Sequence, residues 1–154
     1  MFSSEIYESW RATQSEKFAF LLEKEPDFFS GTVLDLACGP GFLERFLKEN
    51  NIGCEIISTD TNGGNVVADA NALPFPDNSF QRIICIDAIH LINNDFQRTL
   101  KKNGIIIVGI FFSNHSYEEK RDMLASKLAG LKILNEYIFI GKEKELFVVA
   151  KKAF

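Results

Sequence analysis

The ten residues VLDLACGPGF, numbered 33–42, carry the clearest structural signal in the chain. An apolar run rich in β formers is followed by small residues and by the turn Gly39-Pro40-Gly41. From Phe42 onward, apolar residues recur at helical spacing. A glycine turn between a strand and a helix usually holds a ligand against the helix N-terminus. The stretch therefore predicts a strand, a ligand-binding turn and a helix.

Further strand patterns follow at regular intervals along the chain. Apolar segments that bury both faces of a strand are predicted at 32–37, 55–59, 66–68, 82–86 and 105–112. The last two segments, 131–140 and 145–152, flank the polar turn GKEK and predict a closing hairpin. The pattern predicts an α/β fold, with a doubly wound, mostly parallel sheet of seven strands that ends in an antiparallel hairpin.

The helical patterns complete a single predicted domain, residues 1–154. Residues 4–25 predict helix in two pieces broken near Thr13, and residues 1–30 are expected to cover the core formed by 31–154 as a lid. Ser116 and Glu119 have the spacing of a capping box for a helix that continues to Ala129, with Gly130 as its stop.

Composition restricts the classes of function. The net charge of −4 argues against a general nucleic-acid binder. The three cysteines form no CxxC pair and are expected to be buried thiols in a reducing compartment. The first residues lack the basic and apolar regions of a signal peptide, and no apolar run is long enough to cross a bilayer. A cytoplasmic protein without membrane insertion is expected.

The residues around the glycine turn indicate what kind of ligand it holds. Glu44 occupies the position of the third glycine of a dinucleotide motif, where a carboxylate would repel a pyrophosphate. Asp35, Asp60 and Asp69 lie in or directly after the first three predicted strands, whose carboxyl ends line one crevice. Carboxylates suit ribose hydroxyls, an adenine amine and a cation. The pattern predicts an adenosine ligand with a positive tail and no phosphate.

Three stretches carry a family resemblance that covers residues 31–112. VLDLACGPG resembles motif I of the class I S-adenosylmethionine-dependent methyltransferases. ADANALPFPDNSFQRIICIDAIHLI, residues 68–92, and RTLKKNGIIIV, residues 98–108, resemble the type 11, small-molecule branch of that family. The resemblance implies S-adenosylmethionine as cofactor and S-adenosylhomocysteine as product, with no metal.

The resemblance also implies roles for individual residues. Asp35, Gly39 and Gly41 would surround the methionine moiety, Asp60 the ribose, and Asp69 with Ala70 the adenine. Asp87 and Ala88 would lie by the methionine end and the acceptor, and Ala37 and Thr61 are further predicted cofactor-binding residues. Ala37 stands where the family usually has glycine. Tyr7 and Trp10 resemble the aromatic residues of a lid helix, where an aromatic face would favour the sulfonium cation.

The connection between the second and third predicted strands departs from the family. Only residues 61–64 join them, too few for the helix that the family places there. The third strand must then be short, staggered toward the ligand end or irregularly paired. We expect an uncovered sheet face beside Ile56 and Val66, covered by the N-terminal helices or by a second copy, and we predict a homodimer.

The sequence also bears on the acceptor. Asp87-Ala88-Ile89-His90 replaces the Asn/Asp-Pro-Pro-aromatic motif of relatives that methylate planar amines, which favours an oxygen or carbon acceptor on a small molecule. His90 is the first candidate for a general base and His115 the second. Two alternatives remain: a SAM-binding subunit that serves a partner without catalysis, and an RNA methyltransferase that uses the more basic residues 96–154.

Overall fold

Seven strands form one sheet in the computed structural model, which describes residues 4–153. The strands are β1 (Gly31–Leu36), β2 (Cys54–Asp60), β3 (Val66–Val67), β4 (Phe80–Ile86), β5 (Leu100–Phe112), β6 (Lys132–Ile140) and β7 (Lys144–Lys151). Their spatial order is β3-β2-β1-β4-β5-β7-β6. The first five are parallel, and β7 pairs antiparallel with both β5 and β6. The predicted fold class is confirmed.

Four α-helices surround the sheet: α1 (Ser4–Lys24), α2 (Phe42–Glu49), α3 (Phe96–Thr99) and α4 (Tyr117–Lys127). Two 3₁₀ turns, Pro26–Phe28 and Ile89–Leu91, follow α1 and β4. No helix within residues 4–153 is long and apolar enough to pass through a membrane.

Helix α1 is a single helix, so the predicted break near Thr13 is wrong. Thr13 is buried, and its Oγ1 donates a hydrogen bond to the Ser9 carbonyl one turn earlier, at 3.0 Å. The hydroxyl is thus satisfied inside the helix, and the side chain packs against the core. Tertiary packing outweighs the weak helix propensity of a β-branched residue here.

The sheet is buried on both faces because alternate strand residues point to opposite sides. Val33, Ile84 and Ile107 pack in one apolar cluster with Phe18 of α1 and Phe46 of α2. Their neighbours on the opposite face pack with α3 and α4 in a second cluster, which contains Leu34, Ile83, Ile106, Phe96 and Leu124. The doubly wound arrangement follows from this alternation.

The predicted capping box at α4 is wrong in its bonding. Ser116 precedes the helix as expected, but its Oγ accepts a hydrogen bond from the Ser113 backbone N–H at 2.9 Å and does not cap the helix. The helix ends at Lys127, and Gly130, with φ +92°, follows in the left-handed conformation that glycine favours.

The short connection after β2 gives a short third strand. Strand β3 has two residues, and Val66 and Val67 pair with Thr59 and Asp60 at the carboxyl end of β2. The predicted stagger toward the ligand end is confirmed. A two-residue extended segment, Gly63–Gly64, lies within the connection and takes no place in the strand order.

The sheet face beside Ile56 is covered by helices of the same chain, the N-terminal helix among them, which is one of the two expected covers. Ile56 is buried in the cluster that also holds Leu21 of α1 and Leu47 of α2, so these helices supply the cover. Val66 is half-buried, and Val67, its neighbour in β3, is exposed. The homodimer therefore loses the uncovered face that favoured it.

Candidate functional site

The glycine turn is held against the end of β2 by two hydrogen bonds. The Cys38 N–H donates to the Thr59 carbonyl at 2.9 Å, and the Gly39 N–H donates to Asp60 Oδ2 at 2.9 Å. Gly39 and Gly41 have φ of +57° and +81°, a conformation that strains other residues. No atom lies within 4 Å of where a Cβ would stand on either glycine, so the turn is open on that side.

A cavity of about 170 Å³, here called the inner cavity, lies between this turn and α1. Its walls come from the ends of β1 and β4, the turn, α2 and one stripe of α1. The lining residues are Trp10, Gln14, Phe18, Asp35, Ala37, Cys38, Gly39, Pro40, Phe42, Leu43, Ile86, Asp87 and Ala88.

A second cavity of about 260 Å³, the outer cavity, lies beyond the ends of β2 and β3. Its lining consists of Ala37, Thr59, Asp60, Thr61, Ala68, Asp69, Ala70, Asn71, Leu91 and Ile92. Ala37 lines both cavities, so they meet at this residue. Both lie at the carboxyl ends of the parallel strands, where a doubly wound sheet binds its ligand, and the two together are called the cleft.

Asp35 is the most deeply buried carboxyl group that lines the inner cavity. Its side chain is 6% exposed, and no lysine or arginine of residues 4–153 forms an ion pair with it. Burial first, and then the carboxylates of Glu44 and Asp60, raise the pKa of Asp35 to about 8. A buried carboxyl among other carboxylates favours a cationic ligand.

The outer cavity has two carboxylates that the backbone holds in place. Asp60 accepts from Gly39 through Oδ2 and from the Asn62 N–H through Oδ1 at 3.2 Å. Asp69 Oδ1 accepts from the Asn71 N–H at 2.8 Å. Because these bonds fix both side chains at the wall, the outer cavity presents oriented acceptors for hydroxyl or amine donors.

Most of the sequence-predicted site residues line the two cavities, and four do not: Gly41, Tyr7, His90 and His115. Gly41 is the N-cap of α2. The Tyr7 ring packs 5.4 Å from that of Phe42, and its hydroxyl accepts a 2.7 Å hydrogen bond from Arg45. His90 is exposed on the 3₁₀ turn after β4, where partial burial, followed by Lys120, lowers its pKa.

His115, the second candidate base, is exposed and lines neither cavity. The predicted roles of both histidines stay predictions.

Sequence reasoning missed the polar residues of α1 that face the cleft. Gln14 lines the inner cavity, and the fully buried Lys17 forms an ion pair with Asp87 at 3.2 Å. With Trp10 and Leu21, these residues form one stripe at helical spacing, i, i+4, i+7 and i+11. The helical spacing of these residues could have indicated that they share a buried face. A glutamine and a lysine within that face, however, make it resemble a solvent-exposed face in the sequence.

The fold and the cleft define a nucleoside-binding α/β domain with acidic groups placed for a cation in the position where other folds bind phosphate. Residues 34–108 match the family model described as "Methyltransferase domain". This match, together with the fold, supports a class I S-adenosylmethionine-dependent methyltransferase with S-adenosylmethionine as its cofactor.

Known proteins show how far the similarity extends. "Arginine-hydroxylase NDUFAF5, mitochondrial" of Rattus norvegicus is 26% identical over 140 residues, covering 71% of this chain and 41% of that protein. "Ribosomal protein L11 methyltransferase" of Campylobacter concisus is 23% identical over 133 residues, covering 74% and 47%. The chain thus spans less than half the length of these curated relatives.

A solved structure gives the same fold over the whole chain. The Burkholderia thailandensis 1,6-didemethyltoxoflavin-N1-methyltransferase, solved with bound 1,6-didemethyltoxoflavin and S-adenosylhomocysteine, superposes with a TM-score of 0.61 at 13% identity. The match covers 100% of this chain and 92% of that one.

Proposed function

We propose that the chain transfers a methyl group from S-adenosylmethionine to an oxygen or carbon atom of a small molecule. The donor would lie along the cleft, with its methionine end in the inner cavity and its adenosine in the outer cavity. The observation that carries this proposal is that the two cavities share Ala37 as a lining residue. The inner cavity contains the buried Asp35, whose surroundings favour a cation, and the outer cavity contains Asp60 and Asp69, which backbone hydrogen bonds hold in place.

The residues of the cleft fit the donor at both ends. Asp35 and Asp87 would face its positive groups, Asp60 would accept from the ribose hydroxyls, and Asp69 from the adenine amine. When bound, S-adenosylmethionine supplies a methyl group already activated by the sulfonium. The chain then has to orient donor and acceptor and exclude water, and Trp10 and Phe18 form an apolar wall for that purpose.

The segment after β4 supports this acceptor class. The 3₁₀ turn Ile89–Leu91 replaces the proline-containing motif of amine methylases, so no backbone clamp for a planar amine is expected there. Neither His90 nor His115 lines the inner or the outer cavity. An acceptor that needs little help in losing a proton, such as an acidic phenol or an enol, suits this site best.

Calorimetry tests the donor site. We expect binding of S-adenosylmethionine and S-adenosylhomocysteine and no binding of NAD, because Glu44 lies in the first turn of α2, where a pyrophosphate would be held. Binding of NAD without any response to S-adenosylhomocysteine would contradict the proposal.

A second experiment tests the acceptor class. S-adenosylmethionine with a labelled methyl group is incubated with the chain and a cell extract, which is then separated into small molecules, RNA and protein. We expect label in the small-molecule fraction. Label in RNA would favour the RNA methyltransferase, and no transfer in the presence of donor binding would favour a non-catalytic subunit.

A further inference from the structure

A fully buried lysine joins α1 to the opposite wall of the cleft. Lys17 Nζ lies 3.2 Å from Asp87 Oδ2, 2.8 Å from Glu143 Oε1 and 3.0 Å from Glu145 Oε1. These carboxylates come from three places: the end of β4, the turn between β6 and β7, and β7 itself. One side chain of the helix therefore links three segments at the same edge of the sheet.

The Asp87 carboxylate is held by β5 and by α1, and Asp87 lines the inner cavity. Its Oδ1 accepts from the Phe111 N–H at 3.0 Å, and its Oδ2 accepts from Lys17. The Asp87 backbone has φ +61° and donates its N–H to the Gly109 carbonyl at 2.8 Å. A left-handed conformation in a non-glycine residue costs about 1 kcal/mol or more and persists only where its surroundings enforce it.

Glu145 is the carboxyl group of the cluster that is most shielded from water. It is fully buried, and neither of its oxygens has a hydrogen-bond partner of good geometry within residues 4–153, although Lys17 is close. Burial, and then the proximity of Asp87, raise its pKa to about 9. Glu145 therefore holds its proton more tightly than an exposed carboxyl group does.

Packing alone does not explain a buried lysine here. Phe18 and Leu21 already bury α1 against the sheet. Replacing buried ion pairs by apolar side chains is often neutral or stabilising, so an ion cluster at this place points to a role other than stability.

We propose that Lys17 is a positioning residue for the methionine end of the donor, because it holds both α1 and the Asp87 carboxylate at the wall of the inner cavity. The inference rests on the proposed function, since it needs the donor to lie along the cleft. It assigns Lys17 to one end of the ligand only: the outer cavity, with Asp60 and Asp69, lies beyond Ala37.

Two ligands distinguish a defect at the methionine end of the binding site from a defect at its adenosine end. S-adenosylhomocysteine fills both cavities, whereas 5′-methylthioadenosine has the adenosine and the thioether without the amino-acid end. For Lys17→Met, which keeps the length of the side chain and removes its charge, we expect the affinity for S-adenosylhomocysteine to fall at least about tenfold. The affinity for 5′-methylthioadenosine should stay within about twofold of the wild type.

Lys24→Met is the matched control, since Lys24 is an exposed lysine on the same helix. It should change neither affinity. Glu143→Gln removes the nearest partner of Lys17 at a half-exposed side chain and should give the same pattern as Lys17→Met at a smaller size. Equal losses for both ligands in Lys17→Met, or no loss for either, would overturn the inference.

The wild-type chain gives a measurement that does not depend on the folding of a variant. S-adenosylhomocysteine should slow amide hydrogen exchange along residues 14–20 of α1, and 5′-methylthioadenosine should not. Equal slowing by both ligands would also overturn the inference. If the wild type binds neither ligand, the proposed function itself fails, whereas normal binding of both with an unselective Lys17→Met defeats only the role of Lys17.

Discussion

Asp35 makes the binding of a cationic donor depend on pH. Its pKa of about 8 means that the carboxyl is largely protonated at neutral pH in the free chain, whereas a bound cation favours the ionised form. The affinity for S-adenosylmethionine should therefore rise with pH up to about 8, by at most about tenfold per pH unit. Calorimetry of Asp35→Asn should show weaker binding that changes little with pH over the same range.

The same residue should reduce the stability of the free chain as pH rises. The pKa of Asp35 is higher in the folded state than the ordinary value of 3.8, so the folded state holds the proton more tightly than the unfolded state does. The resulting stability is present below about pH 4 and is lost as pH rises to about 8. In urea unfolding at pH 5 and pH 8, Asp35→Asn should therefore lose less stability than the wild type. An equal loss in both would contradict this.

Asp60 should matter for the adenosine end of the ligand. Asp60→Ala removes the acceptor for the ribose hydroxyls and also the acceptor that holds the Gly39 N–H. We expect a loss of about 1.5–3 kcal/mol in binding free energy for S-adenosylhomocysteine and a similar loss for 5′-methylthioadenosine. Asp122→Ala, an exposed aspartate of α4, is the control. Unchanged affinity in a folded Asp60→Ala would move the ribose contact elsewhere.

At the scale of elements, the connection between β2 and β3 depends on one glycine. Gly64 has φ +82°, and a Cβ there would lie 2.6 Å from the Ser58 carbonyl oxygen. Gly64→Ala should reduce the free energy of unfolding by about 1–3 kcal/mol. Gly63→Ala is the matched control, because no atom lies within 4 Å of its Cβ position, and it should cost less than about 1 kcal/mol. Urea unfolding measures both, and equal losses would contradict the argument.

Asn65 shows how so short a connection still satisfies the edge of β2. Its Oδ1 accepts from both the N–H and the hydroxyl of Ser58, each at 3.0 Å, and its own N–H donates to Ser58 Oγ at 3.0 Å. A side chain thus makes the bonds that a longer third strand would make. The family resemblance placed a helix here, and only the count of residues showed that it is absent.

The elements that sequence predicted well are those whose signal is local. Strands β1, β4 and β7 are long apolar runs, and the turn at Gly39 needs conformations that glycine provides. The predictions that failed concern side chains whose hydrogen-bond partners are distant in the sequence, or side chains that had two possible partners. The bond between Lys17 and Glu143 joins residues 126 positions apart, and no pattern in α1 indicates it. Ser116 had two possible partners, and the nearby Ser113 backbone bound it in place of the helix.

At the scale of the whole molecule, the remaining question is the oligomeric state. The cover over Ile56 comes from α1 and α2 of the same chain, which removes the face that favoured a homodimer. Light scattering at micromolar concentration decides the matter, and we now expect a monomer. A stable dimer would restore the original prediction and would place its interface elsewhere than at Ile56.

Trp10 is the single tryptophan of the chain, and it forms part of the wall of the inner cavity. The emission of an indole responds to charges near its ring, so fluorescence of the unlabelled chain should differ between a bound cationic donor and the neutral product. Methyl transfer would then appear as a change in the wavelength or intensity of the tryptophan emission during turnover. A library of unlabelled small molecules can therefore be screened for the acceptor by tryptophan fluorescence, before any product has been isolated.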